Sequence, residues 1–133
     1  MGVREKATMM HESGYNCAQS VFSALGEYTG LDEKTALAIS GGFGGGLRCG
    51  EVCGVVSGAI MAIGMVKQYN DCTDLETKDK IAELTREFVA RFSAKYPCLR
   101  CNDLKAKEIS CPALIEDAAE IAESIIKEIK QEK

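Results

Sequence analysis

Seven cysteines among 133 residues are the main chemical resource of this chain. They stand at Cys17, Cys49, Cys53, Cys72, Cys98, Cys101 and Cys111. A thiolate can ligate a metal, build a cluster site or exchange with a disulfide. An odd count rules out complete internal pairing. In a reducing compartment, where structural disulfides are rare, such a number points to metal binding, a cluster cofactor or redox work. Some of the seven are expected to act as small buried hydrophobes instead. Other catalytic groups are scarce. His11 is the single histidine, so no Ser–His–Asp set can be assembled, and it is given no role. Glu116, Glu120 and Glu123 are spaced as one solvated helix face.

The elements that must position the thiols read as helices. Apolar residues at helical spacing predict helices over 3–12, 17–28, 33–40, 51–68 and 76–96, and a last one from Cys111. Asn16 and Asp32 are N-cap residues for the second and third, Gly30 is a C-cap, and Pro112 suits a first helical turn. Segment 98–111 reads as irregular or as one helical turn. The centre of the chain is SGGFGGGLRCGEVCGVVSGAIMAIGMV, residues 40–66. A glycine-dense loop feeds Cys49 and Cys53, and an almost wholly apolar helix follows that should be buried on all sides. Gly54, Gly58 and Gly64 each cost that helix roughly 1 kcal/mol, which calls for close approach by a helix or a cofactor. Met61 and Met65 read as core. No alternating strand pattern is present. The expected fold class is all-α: one domain over 1–133, a compact bundle of five to six helices around a buried central helix.

Cys17, Cys53, Cys101 and Cys111 fall at or just before helix beginnings. There the helix dipole and spare N–H donors favour thiolate. If those helix ends meet at one pole, the four thiolates form the ligand set of an iron–sulfur cluster. Gly44, Gly45 and Gly46 would then shape a bare-backbone pocket, and Arg48 would add positive charge. Cys49 and Cys98 are reserve ligands. Two other chemistries remain open. One is thiol–disulfide exchange, either at the C-x-x-C of Cys98 and Cys101, which lacks a thioredoxin-like βαβ context, or between Cys53 and a later cysteine. The other is a structural zinc site with four cysteine ligands, from the pairs Cys49/Cys53 and Cys98/Cys101.

Cys53-Gly54-Val55-Val56-Ser57-Gly58, preceded by GGFGGG and Gly50-Glu51-Val52, resembles the signature of the C_GCAxxG_C_C family. GYNCAQSV around Cys17 is similar to that family's first cysteine segment. Cys101-Asn102-Asp103-Leu104 and Cys111 look like its third and fourth cysteines. The resemblance covers nearly the whole chain and implies a small, mostly helical protein with a redox role. A similar domain accompanies split-Soret-type cytochromes, in which an iron–sulfur centre sits beside haem. No C-x-x-C-H occurs here, so covalent haem of that kind is not expected. The chain departs from the pattern in having Val55 where the motif has alanine, and in carrying Cys49, Cys72 and Cys98 beyond the four.

The net charge of −4 and the absence of a basic stripe argue against a nucleic-acid partner. The longest apolar run falls short of the ~20 residues that span a bilayer. The N-terminal stretch lacks a secretory pattern, so the expected location is cytoplasmic. The expected partner is a redox protein. The apolar stripes are wide enough to admit a homodimer.

Overall fold

The computed structural model describes residues 2–132; positions 1 and 133 of the expected domain lie outside the described residues. The fold is all-α. Among the described residues eight α-helices follow one another: α1 Val3–Glu12, α2 Cys17–Ala24, α3 Gly26–Thr29, α4 Glu33–Ser40, α5 Gly54–Lys67, α6 Leu75–Ser93, α7 Cys101–Ala106 and α8 Cys111–Gln131. Among the described residues the only β-type pairing is an isolated antiparallel bridge between Val52 and Arg100. None of the described helices is long and apolar enough to cross a membrane.

Two helix starts follow the N-caps read from the sequence. The Asn16 side chain accepts from Gln19 N–H at 2.9 Å, and Gln19 Oε1 accepts from Asn16 N–H at 3.1 Å, a full capping box. Asp32 accepts from Thr35 N–H at 3.1 Å and opens α4. Ser110 caps α8, with Pro112 in its first turn. The helix count exceeds the expected five to six for local reasons. The apolar run 17–28 breaks at Leu25, whose ψ of 14° leaves the helix, and α3 continues in a new direction until Gly30 turns left-handed at φ 76°. Segment 98–111 supplies the short helix α7.

At the centre, α5 packs against α2, α3, α6 and α8. Val55, Val56, Ala59, Ala62 and Ile63 are buried. The expectation of burial on all sides fails along one face: Met61, Gly64 and Met65 line an apolar groove with Ile39 and Tyr69. The two methionines are half-buried rather than fully enclosed. α6 closes the bundle through Leu84, Phe88 and Phe92. α8 contributes a continuous stripe from Leu114 to Ile129.

The expected close approach is real for two of the three glycines of α5. A Cβ on Gly54 would stand 2.6 Å from Cys17 Sγ and 3.0 Å from the Ala18 nitrogen; one on Gly58 would stand 2.8 Å from the Ala18 carbonyl oxygen. These bare positions let α2 settle on α5, and so bring Cys17 to the helix that Cys53 begins. A Cβ on Gly64 would meet nothing within 4 Å. That glycine has no packing reason in the fold.

Candidate redox site

Four cysteines begin four helices. Cys17 is the first residue of α2, Cys101 of α7 and Cys111 of α8, and Cys53 is the N-cap of α5. The expected central helix from residue 51 starts late, at Gly54. Residues 51–53 are extended and bind across to 99–101. Cys53 N–H donates to the Leu99 carbonyl, and Cys101 N–H to the Glu51 carbonyl, each at 2.7 Å. Arg100 adds an ion pair to Glu51 at 2.9 Å. This reciprocal clasp ties two thiols separated by nearly fifty residues. Because α5 starts late, Cys49 does not share a helix face with Cys53.

The loop between α4 and α5 contains a left-handed turn. Gly45, Gly46, Leu47 and Arg48 take φ of 64°, 62°, 60° and 59° in succession. Glycine adopts this conformation freely, whereas Leu47 and Arg48 are each strained by roughly 1–2 kcal/mol. The turn closes where Glu51 N–H donates to the Gly46 carbonyl at 2.9 Å. Two asparagines next to cysteines grip the loop. Asn16 lies against Gly44, where a Cβ would stand 2.6 Å from the Asn16 Cβ, and Asn102 occupies the space beside Gly50. Asn16 Nδ2 also donates to the Gly41 carbonyl at 3.0 Å.

Cys17, Cys53, Cys101 and Cys111 line one cavity of about 230 Å³, together with Arg48, Lys105 and His11 on its polar side. Leu104, Ile109 and Leu114 form its apolar wall. Cys53 and Cys101 are buried; Cys17 and Cys111 are half-buried. Cys17 and Cys53 are neighbours at the cavity wall, where the Cys17 sulfur lies against Gly54. The Cys53 S–H donates to the Cys17 sulfur, and the N–H groups of Gly45, Ala18 and Gly54 join it. Together they outweigh burial and lower the Cys17 pKa to about 6. Cys53 is pushed far up by that same donation, by burial and by the neighbouring Cys17 and Cys101. Cys111 is raised by burial first and then by Cys17 and Cys101, with Lys105 opposing. Cys17 is thus the more acidic thiol of the pair and Cys53 the less acidic.

Of the other residues singled out by sequence, Gly45 and Arg48 line the cavity and the rest fall outside it. Of the three glycines, Gly45 lines it, while Gly44 and Gly46 hold the loop's shape. Cys49 is exposed, and its thiol donates to the Gly46 carbonyl at 3.5 Å. Cys98 is half-buried against the core, and Cys72 is exposed. Sequence reasoning missed His11 and Lys105. Lys105 could have been found as the residue one turn beyond Cys101 on α7; His11 had no local signal.

The donor set suits an iron–sulfur group in kind: four thiols, helix N-termini and backbone N–H groups facing sulfur. Among the described residues, however, no three Cys, His, Asp or Glu side chains are grouped to hold a metal ion. A tetrahedral site from Cys49, Cys53, Cys98 and Cys101 is therefore not assembled in this structure. A multinuclear cluster would ask less of one point, because its cysteines bind different irons. The family model described as "Putative redox-active protein (C_GCAxxG_C_C)" matches residues 15–125, a span that contains all four cavity cysteines. The chain belongs to the C_GCAxxG_C_C family. Neither a curated protein nor a solved structure matches it. Within this C_GCAxxG_C_C chain, the signature glycines have two visible tasks. Gly54 and Gly58 admit α2, and the loop glycines bend the backbone toward Cys17.

Proposed function

We propose that this protein is a thiol-based redox protein whose working pair is Cys17 and Cys53. The observation that carries the reading is that Cys17 and Cys53 meet at the wall of one open cavity, the Cys17 sulfur lying against Gly54, the residue that follows Cys53. Cys17 is the nucleophile. It is held as thiolate by three backbone N–H groups and its partner's S–H. Cys53 is the resolving thiol, anchored by its N–H to Leu99. Oxidation removes two electrons from the pair and the one proton held on Cys53, and forms one disulfide, and a redox partner protein or a small thiol restores it. A reducing cytoplasm would keep the pair in the dithiol form from which this cycle starts. The test is thiol counting after mild oxidation, with the disulfide mapped by mass spectrometry. The wild type should lose two thiols and yield a Cys17–Cys53 peptide. Cys53→Ser should yield none, and Cys72→Ser should match the wild type. Equal loss in both variants would sink the assignment.

A second reading is favoured by the convergence of four helix-starting thiols on one cavity. Cys17, Cys53, Cys101 and Cys111 would hold an iron–sulfur cluster, with Gly45, Ala18 and Gly54 donating N–H bonds to the Cys17 sulfur and Arg48 supplying charge. The group would supply one-electron transfer. Anaerobic purification decides between the two. Iron and acid-labile sulfide in stoichiometric amounts, with broad absorption near ~400 nm, support the cluster. A colourless, metal-free protein with seven titratable thiols supports the dithiol.

A further inference from the structure

Although the chain is acidic overall, no carboxylate among the described residues lines the four-cysteine cavity. Three other polar cavities are lined by Glu76 and Asp79, by Glu83 and Glu128, and by Glu120. Here the polar side is Arg48 and Lys105, with the His11 ring beside them. Among the described residues neither cation has an ion-pair partner, whereas nearby Arg100 is paired to both Glu51 and Asp103. Arg48 is held at the cavity by a backbone conformation that costs energy. A strained residue kept at a site of reactive groups is a pointer to function. At ~30 Å³ per water in the liquid, the cavity holds a molecule of a few carbons, not a folded peptide segment.

From this we infer that the cavity takes a small disulfide bearing carboxylates, with Arg48 and Lys105 recognising the carboxylate while Cys17 meets the sulfur. The inference rests on the dithiol reading. The Cys17 sulfur attacks one sulfur of R–S–S–R, forming the mixed disulfide Cys17–S–S–R and releasing R–S⁻. The Cys53 sulfur, giving up its proton, then attacks the Cys17 sulfur and forms the Cys17–Cys53 disulfide. The second R–S⁻ leaves, and the two thiolates are protonated in solvent. The small disulfide is reduced by two electrons and the protein pair is oxidised by two.

Three probes of nearly the same size separate charge from reactivity: 3,3′-dithiodipropionate (anionic), 2,2′-dithiodiethanol (neutral) and cystamine (cationic). Oxidation of the reduced full chain by each is timed at low salt. Each rate is divided by the rate for 2-mercaptoethanol under the same conditions. The normalised anionic-to-neutral ratio should rise roughly tenfold, as steering by a charged cleft permits, and cystamine should fall below the neutral probe. The preference should shrink with added salt. Arg48→Gln and Lys105→Gln should each lower the ratio about threefold. Both side chains are exposed, and circular dichroism verifies the variants' fold. If all three disulfides oxidise the pair in the order shown by 2-mercaptoethanol, carboxylate recognition is wrong while the dithiol stands. If none oxidises Cys17 and Cys53 while the reference thiol reacts, the dithiol reading fails with it.

Discussion

Cys17 carries its charge because of what points at its sulfur. The Cys53 S–H is the largest contributor, followed by three backbone N–H groups, and together they outweigh half-burial. Only the thiolate reacts with an alkylating agent. The reaction of Cys17 with iodoacetamide should therefore rise with pH through about 6 and be flat above neutrality, where an ordinary thiol is still climbing. A pH–rate profile with Cys17 identified by mass spectrometry checks this. Cys53→Ala removes the main donor and should move the midpoint upward; an unmoved midpoint would mean that the backbone donors alone hold the charge. At this scale the sequence revealed the four thiols through their places before helices. It could not reveal which sulfur would carry the proton. That depends on N–H groups from residue 45 and residue 54 meeting residue 17, a matter of packing and not of local pattern.

Helix α5 shows how a costly residue can be read both rightly and wrongly. Three glycines suggested three close approaches. The fold provides them at Gly54 and Gly58, where α2 presses in, and leaves Gly64 facing open space in the apolar groove. Substitution by alanine should separate the three. Gly54→Ala and Gly58→Ala force Cys17 and the Ala18 backbone away, and each should destabilise by about 1–3 kcal/mol, as overpacking does. Gly54→Ala should in addition slow Cys17 alkylation at pH 7, because the Cβ displaces its sulfur. Gly64→Ala meets no obstacle and should stabilise by up to about 1 kcal/mol through helix propensity. Urea midpoints for the three variants test the order; a loss at Gly64 equal to that at Gly58 would contradict this account of the groove. The other elements were legible to different degrees. The starts of α2 and α8 and the bounds of α4 were readable because Asn16, Asp32 and Pro112 sit where caps and first turns require them. The break at Leu25 and the late start of α5 were not. The first is set by burial of Leu25, and the second by pairing of 51–53 with a segment far along the chain.

Taken as one molecule, the protein builds its site from segments that meet only in the folded state. Cys17 arrives on α2, Cys53 on α5, and Cys101 and Cys111 at the starts of α7 and α8. The surfaces that bring α2, α5 and α8 together belong to the buried core, through Phe22, Val55, Ile63, Ile115 and Ala122. Loop 41–53 is tied to this core at both ends, by the Asn16–Gly41 hydrogen bond and by the clasp of Cys53 to Leu99. Of the groups that keep Cys17 acidic, only the Ala18 N–H is local; those of Cys53, Gly45 and Gly54 are lost once α2 parts from α5. The enhanced reactivity of Cys17 at pH 6.5 should therefore vanish in the same urea transition that removes helical circular dichroism, as a two-state domain of this size requires. The two curves are measured on the reduced protein, alkylation by a pulse of iodoacetamide and helicity by ellipticity at 222 nm. Coincident midpoints would show that the thiol pair is a property of the global fold. Loss of the reactivity at lower urea, with helicity intact, would show that the glycine loop and α7 open as a separate unit of lower stability, and that the cavity is gated by that opening.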